Sequence, residues 1–281
     1  MTARPAGLLG DTTARDYSRK LRLFNSFAEP ELRRAIISLG LKPGMRVLDA
    51  GCGTGEALRW LRDAVAPRGM VVGIDLAAAH VSAARASAGA DDPVMVLQAD
   101  VRQPPLAPRS FDLVWSVNTI NHLREPLAGV QVLAGLLRPA GRIALGQSSL
   151  MPDMLFAWDS RLERLTTEAV RRYYRDRYGL SERDLADTRS IMGLLRRAGL
   201  CDVKAQTLMI ERVSPLGPPD EAYLLEAIFR DTWGERLRPY LSGEDYDELT
   251  ALCDPSDPAF ALRRTDFHFL QTFTVAVGQV P

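Results

Sequence analysis

Three carboxylates, Asp49, Asp75 and Asp100, each stand at or near the end of an apolar run, and a glycine loop follows the first of them. The loop reads Asp49-Ala50-Gly51-Cys52-Gly53-Thr54-Gly55, with glycine at every second position of its second half. Apolar Val47 and Leu48 lead in, and a helical pattern of Glu56, Leu58, Leu61 and Val65 leads out. Strand, tight loop and helix start make the first unit of a nucleotide-binding α/β sheet. Glycine is required where a turn takes φ above zero and where backbone must approach a ligand without a Cβ in the way.

The charge in the loop separates two ligand classes. A dinucleotide brings an anionic pyrophosphate to the helix N-terminus, and its fingerprint is G-x-G-x-x-G/A. Here the spacing is G-x-G-x-G, and Asp49 sits two residues before the first glycine. A carboxylate there repels a phosphate and complements a cation. S-adenosylmethionine has no phosphate; it carries a sulfonium, an ammonium and a carboxylate, and the stretch fits it better than NAD. Asp75, at the end of the next apolar run, can accept both ribose hydroxyls of an adenosine, an arrangement NAD proteins also use. The alternative for Asp75 is a plain helix N-cap.

Strands are expected at 47–50, 70–75, 94–98, 111–117, 142–146, 202–212 and 267–277 to hold these residues. Helices are expected at 13–28, from Pro30 to Leu39, 56–65, 77–88, 125–137 and 188–199, with Pro139-Ala140-Gly141 ending the one at 125–137. Near-continuous apolar strands alternating with helices imply a parallel sheet covered on both faces. The alternation breaks at 151–186 and 218–253, which read as helical, the second with a break at Gly243. These segments read as a lid inserted late in the sheet and not as a second domain. The expected organisation is one domain over 1–281: an N-terminal helical cover at 1–40, a cofactor-binding core at 41–150, and lid insertions at 151–187 and 218–262.

Composition excludes several classes. The chain has 281 residues, 46% hydrophobic and 25% charged, as an ordinary globular protein has. Its formal net charge is zero, which gives no electrostatic case for nucleic acid or an acidic membrane. Cys52, Cys201 and Cys253 form neither a disulfide framework nor a zinc spacing, which suits a reducing cytoplasm. No apolar signal region or membrane-length run is seen. No His/Asp/Glu cluster has ligand spacing, so no metal is implied. Arginine far outnumbers lysine, a bias associated with bacterial sources.

With VLDAGCGTG at 47–55, GIDL at 73–76, QADV at 98–101, FDLVWS at 111–116 and LRPAGRIAL at 137–145, the chain resembles class I S-adenosylmethionine-dependent methyltransferases, particularly small-molecule enzymes of quinone and natural-product pathways. The resemblance covers about 45–280 and is weak over the insertions. It implies a Rossmann-like, seven-stranded, mostly parallel sheet with helices on both faces and the last strand antiparallel. It implies that Asp49 and Gly51 hold the methionine amine, aided by a backbone carbonyl within Ser116–Asn118, with Gly53 and Gly55 completing the loop. It further implies that Leu76 lies against adenine, that Asp100 accepts the adenine amino group, and that the Val101 N–H meets a ring nitrogen. Arg102 reads as a surface residue. Tyr17, in a helix that would cover the cofactor, is placed near the methionine carboxylate or sulfonium, with ordinary core packing as the equal alternative.

The acceptor side is less defined. His122 follows the fourth strand, beside where the methyl group would be presented, and a neutral imidazole there can take a proton from the acceptor. The alternative is packing or a hydrogen bond at a helix start. Asn118 and Asn121 face the cofactor tail or the substrate. Phe156, Trp158, Tyr174 and Tyr178 are candidates to wall an apolar acceptor pocket, against the alternative that such aromatics are the lid's own core. His80 and His268 read as structural. The run Arg171 to Tyr178 mixes cations and aromatics; a solvated helix face, or recognition of an anionic substrate group, fits a neutral protein better than RNA.

The reaction so implied is methyl transfer to O, N or C of a small molecule, with S-adenosylhomocysteine as product. Alignment of the reactants can remove about 7–11 kcal/mol of barrier, so positioning outweighs a base. Three other readings stay open: an NAD(P)-dependent oxidoreductase, a protein on this fold that binds the cofactor but catalyses a cyclisation, and a non-enzymatic partner-binding subunit. Exchange of the N-terminal helix between protomers would give a homodimer.

Overall fold

The computed structural model describes residues 17–88, 93–149, 153–155, 157–179 and 187–281, the side chains of 178 and 187–189 excepted. At its centre β1 (Arg46–Ala50) lies between β2 (Met70–Asp75) and β4 (Phe111–Val117), parallel to both. β3 (Val94–Gln98) extends the sheet beyond β2, and β5 (Leu137–Ser148) extends it beyond β4, again in parallel. β8 (His268–Gln279) runs antiparallel to β5, and β7 (Cys201–Val213) runs antiparallel to β8. The strand order therefore reverses between β1 and β4, and open sheets of this kind bind ligands at the carboxyl ends beside such a reversal.

The apolar strands are buried on both faces, each with its own core. Val47 of β1 packs with Leu58, Leu61 and Val65 of α3 (Glu56–Val65), while Leu48 and Ala50 pack toward α5 (Pro126–Gly135) and α7 (Asp187–Arg197). Side chains alternate along a strand, so Asp49 shares the Val47 face. It is the last residue on that face before the glycine loop.

Several boundaries differ from those expected. The N-terminal helix is α1 (Ser18–Phe27), and it breaks at Ala28 before α2 (Glu29–Ser38); residues 13–16 lie outside the described residues. Strand β5 starts at Leu137, with 138–141 as an outward bulge: Phe111 pairs with Leu137, and the ladder resumes only at Leu113 with Arg142. The turn signal at Pro139-Ala140-Gly141 thus marks the bulge, with Ala140 at φ +61°. The first insertion is not wholly helical. Its Met154–Leu155 form β6, which pairs with Leu270 and Phe269 on the edge of β8 that β5 leaves free past Ser148. The sheet therefore has eight strands in place of the seven expected. In the second insertion the expected break falls at Leu241 and Ser242, just ahead of Gly243. That glycine opens α9 (Gly243–Cys253), because the Ser242 hydroxyl accepts the Asp245 N–H at 3.1 Å and caps the helix there.

The N-terminal helices and both insertions pack on one another. α8 (Pro218–Ala222) continues as a π-helical stretch over Tyr223–Arg230, and Tyr223 stacks on Phe27 of α1 at 4.2 Å. The Arg212 guanidinium lies over the Phe27 ring, pairs with Glu31 at 3.0 Å and Asp220 at 2.8 Å, and donates to the Phe27 carbonyl. α6 (Ser160–Tyr178) is capped by Asp159, which accepts from Arg161 and Leu162 N–H, and packs on residues 235–240 and on α9. Among the described residues no helix is long and apolar enough to cross a membrane.

Candidate functional site

The carboxyl ends of β1, β2 and β4 meet around the glycine loop. Asp49 pairs across the backbone with Gly73 and Trp115 and is only 2% exposed. Its Oδ2 is buried without a hydrogen-bond partner. Burial, reinforced by the charges of Asp75 and Glu56, pushes its carboxyl up to about 8. A buried carboxyl with an unmet acceptor is costly unless something positive and hydrogen-bonding arrives. A positively charged donor, such as an ammonium, relieves both deficits at once.

The loop backbone is held in a shape that side-chain-bearing residues rarely adopt. Gly51 has φ +83°, and its N–H and that of Cys52 donate to the Ile74 carbonyl at 2.8 and 3.0 Å. A Cβ on Gly51 would lie 2.1 Å from Thr119 Oγ1, so the residue after Asn118 closes directly over the loop. Gly55, at φ +89°, starts α3 with its back against Ala84 of α4 (Ala78–Ser87), where a Cβ would come within 2.9 Å. Gly53 lies under Leu21 of α1, 3.1 Å from where its Cβ would be. The N-terminal helix therefore lies over the loop. The Cys52 thiol is buried and pushed well up by that burial, so it is no nucleophile.

Asp75 contrasts with Asp49. Its Oδ2 accepts the Gly53 N–H at 2.9 Å, and its Oδ1 takes the Ala77 N–H at 2.9 Å and His80 Nδ1 at 3.1 Å. A carboxylate offers roughly four lone-pair positions. Three are taken within the protein, which leaves one open position, on Oδ2, where the expected pair of ribose hydroxyls would need two. The residue at the N-cap of α4 is Ala77 and not Asp75, which only takes the Ala77 N–H just ahead of the helix. Leu76 beside it is half-buried, and its carbonyl accepts from Gln98 Nε2 at 3.2 Å.

Asp100 is gripped by Arg102, with Nε 3.0 Å from both oxygens and a terminal nitrogen 2.6 Å from Oδ2, while the Arg102 N–H donates to Oδ1 at 2.8 Å. These bonds hold its carboxyl below the usual range. Arg102 lies on the surface, as expected, and from there clamps the Asp100 carboxylate. Val101 between them is buried. An open groove of about 450 Å³ runs from Asp100 past Gln103 to Arg124 and Val132.

The β4 residues are largely occupied within the protein. Ser116 is buried, and its hydroxyl donates to the Ala50 carbonyl at 2.7 Å, tying β4 to the base of the loop. Asn118 has φ +50°, and its Oδ1 accepts from Ser148 N–H and Oγ at 2.9 and 3.1 Å, closing β4 onto the end of β5. The Asn118 side-chain oxygen, expected to face the cofactor tail or the substrate, is thus engaged by Ser148. Asn121 and His122 lie half-buried in a single 3-10 turn, Ile120–His122, and the His122 N–H donates to the Thr119 carbonyl at 2.9 Å.

Of the cap residues, Tyr17 sits at the start of α1, 39% exposed, and its N–H donates to His80 Nε2 at 3.1 Å. Trp158 is buried against Trp233 and Phe229, with ring centroids 4.9 and 6.2 Å away, and so forms core of the cap. Tyr174 is half-buried, edge-on to Tyr173. Phe156 and the side chain of Tyr178 lie outside the described residues. Part of the arginine–tyrosine run is spent on packing: Arg172 lies over the Tyr240 ring and Arg236 over the Tyr173 ring, each at 5.3 Å.

Residues 48–145 match the protein family described as methyltransferase domain. Nocamycin O-methyltransferase of Saccharothrix syringae is 30% identical over 236 residues, which cover 80% of this chain and 81% of that protein. The 27-O-demethylrifamycin SV methyltransferase of Amycolatopsis mediterranei is 39% identical over 118 residues, and that match spans 41% of this chain and less than half, 43%, of the relative. In fold, the [4+2]-cyclase SpnF superposes with a TM-score of 0.51 at 18% identity, over 100% of this chain and 99% of that one. The sheet order, the glycine loop with its buried acid, and these similarities together place the chain in the class I S-adenosylmethionine-dependent methyltransferases.

Proposed function

We propose that this protein transfers a methyl group from S-adenosylmethionine to an oxygen of a small-molecule acceptor in natural-product metabolism. The observation that carries the donor half is Asp49, a buried carboxyl with an unmet oxygen beside a glycine loop. The O-methyl products in the relatives' names support oxygen as the acceptor atom.

The residues present fit the cofactor. Asp49 and the Gly51 backbone receive the methionine ammonium, with a backbone carbonyl of the Ser116–Asn118 turn. Gly53 and Gly55 keep the loop free of side chains, and Asp75 takes a ribose hydroxyl. Leu76 and Val101 flank the adenine, and Asp100 accepts its amino group in competition with the Arg102 contacts. Tyr17 and Leu21 cover this end. When bound, the cofactor supplies an electrophilic methyl on a sulfonium and departs as S-adenosylhomocysteine. The chain's own contribution is alignment and exclusion of water, worth about 7–11 kcal/mol for well-oriented reactants. His122 holds the acceptor's proton at its imidazole, with Asn121 and the cap residues around Trp158 and Tyr174 shaping the acceptor end. The described residues within 1–40, 151–187 and 218–262 form the closing cap over those described within 41–150. The cysteines are those of a chain working in a reducing cytoplasm.

The test is turnover with S-adenosylmethionine and a panel of hydroxyl, amine and carbon acceptors. S-adenosylhomocysteine formed in step with an O-methylated product supports the reading. Tight cofactor binding with acceptor conversion but no S-adenosylhomocysteine would favour a cyclisation-type reaction, and preference for NAD(P) in calorimetry would remove the donor assignment. A base at His122 predicts that His122→Gln lowers kcat by about 100-fold or more without changing cofactor affinity. A loss below tenfold would leave positioning alone.

A further inference from the structure

A buried polar side chain outside the cofactor set joins the N-terminal helix to the glycine loop: His80, on the first turn of α4. It is 8% exposed. Its Nε2 lies 3.1 Å from the Tyr17 backbone nitrogen, and its Nδ1 lies 3.1 Å from Asp75 Oδ1. A backbone N–H can only donate, so Nε2 is the accepting nitrogen and Nδ1 carries the ring proton. The proton on Nδ1 then points at Asp75. The result is a directed chain from the first turn of the N-terminal helix, through one imidazole, to the acid of the ribose site, and from its other oxygen to the Gly53 N–H at 2.9 Å. Leu21, one turn further along α1, lies over the same Gly53. α1 is thus tied to the cofactor loop twice, by an apolar contact and by a hydrogen-bond chain that runs through His80.

We propose that His80 is a positioning residue that couples closure of the N-terminal helix to recognition of the cofactor ribose. A hydroxyl on the open position of Asp75 Oδ2 fixes the carboxylate; the carboxylate fixes the imidazole ring, and the ring fixes the first N–H of α1. Coupling of this kind is reciprocal, so a docked α1 also orients Asp75 for the ribose. The proposal rests on the reading of Asp75 as the ribose acid.

Substitutions can separate the two halves of the link. His80→Asn retains an N–H donor near the Nδ1 position and loses the acceptor for Tyr17. His80→Phe keeps the ring volume and loses both. The experiment measures S-adenosylhomocysteine affinity by calorimetry and hydrogen exchange of the 17–21 amides with and without that ligand. In the parent, ligand slows exchange across 17–21. His80→Phe is expected to weaken binding about tenfold, as loss of one charge-assisted bond implies, and to abolish the ligand-induced slowing. His80→Asn is expected to recover most of the affinity but not the slowing, and to raise the KM for S-adenosylmethionine more than it lowers kcat. A merely structural histidine would lower thermal stability in both variants and leave the ligand-induced slowing intact, which overturns the proposal. So would ligand that speeds exchange at 17–21 in the parent, since the ribose would then displace His80 from Asp75. Asp75→Asn is the control. If it leaves affinity unchanged, the ribose assignment has failed; if it weakens binding while the His80 variants keep normal slowing, only the coupling has failed.

Discussion

Two acids at the ends of neighbouring parallel strands have met opposite fates. Asp75 at the end of β2 is surrounded by donors: two backbone N–H groups and an imidazole. Asp49, one residue before the end of β1, has an oxygen with no donor at all and a carboxyl raised to about 8. Both face the same loop. The difference is that Asp75 is pre-organised by the protein, while Asp49 is left for the ligand to complete. A ribose hydroxyl is neutral and needs an acceptor already aimed; an ammonium brings its own charge and can satisfy an acid that the fold leaves unsatisfied.

The largest effect should come from breaking the unsatisfied member. Asp49→Asn removes the buried charge complement proposed for the ammonium, and the loss of one partner from a buried charge pair costs about 3–5 kcal/mol, so cofactor affinity should fall by about 100-fold or more in calorimetry. The same variant tests the raised carboxyl. Between about pH 4 and about pH 8 the folded, ligand-free protein holds a proton on Asp49 that the unfolded chain releases, so stability falls as pH rises through that window and levels off above it. Thermal unfolding of the free protein should show this slope, and Asp49→Asn should lack it. Ligand binding near pH 7 should release a proton, measured by calorimetry in buffers of different ionisation enthalpy. No proton release would mean that Asp49 is already ionised, and the contrast with Asp75 would collapse.

Next in size is the loop that both acids face. Gly51→Ala puts a Cβ 2.1 Å from Thr119 Oγ1 at a φ of +83°. A left-handed non-glycine residue costs about 1–3 kcal/mol, and the clash adds to it. The double variant with Thr119→Gly removes the clash and leaves the backbone strain, so the two changes should be clearly non-additive in unfolding and in cofactor affinity. Additive losses would show that Thr119 does not press on the loop. Asp75→Ala comes third, with affinity lower by about tenfold or more, as expected for losing an aimed charged acceptor. An unchanged affinity would remove the ribose assignment.

How far these residues could be read from the chain depends on the range of the forces that place them. The strands, the loop and the three acids are local: apolar runs, glycine spacing and a carboxylate at each strand end lie within a few residues of one another. Asp49 reads as a candidate cation partner because its charge conflicts with the phosphate alternative. That its neighbour Asp75 would be nearly saturated was not legible, because one donor is a histidine five residues on and another is a glycine amide 22 residues back. Thr119 over Gly51, Leu21 over Gly53 and the Arg212 hub joining Glu31 to Asp220 are contacts between distant segments with no pattern of their own in the sequence. The two-residue β6 is shorter than any periodicity can reveal, and it exists because β8 outruns β5. The second insertion reads as helical over 218–253 apart from the break at Gly243, yet turns π-helical and then 3-10 before that break, since tertiary packing against Phe27 and α6 overrides local propensity there.

The smallest effect expected lies at the third acid, and it decides whether Asp100 behaves like Asp49 or like Asp75. Its clamp joins residues only two apart, with the Arg102 side chain 42% exposed. An ion pair in that setting is worth about 0–1 kcal/mol. Arg102→Met should therefore weaken S-adenosylhomocysteine binding by no more than about threefold, because Asp100 keeps its carboxylate and loses only an aid to its orientation. The Asp100 carboxyl, held below its usual range chiefly by the hydrogen bonds of Arg102, should return toward that range in the variant, which carboxyl NMR on the free protein would report. A gain in affinity would mean that the arginine competes with adenine for the acid, leaving Asp100, like Asp49, to be completed by the ligand. A modest loss would put it with Asp75, as an acceptor that the protein aims in advance.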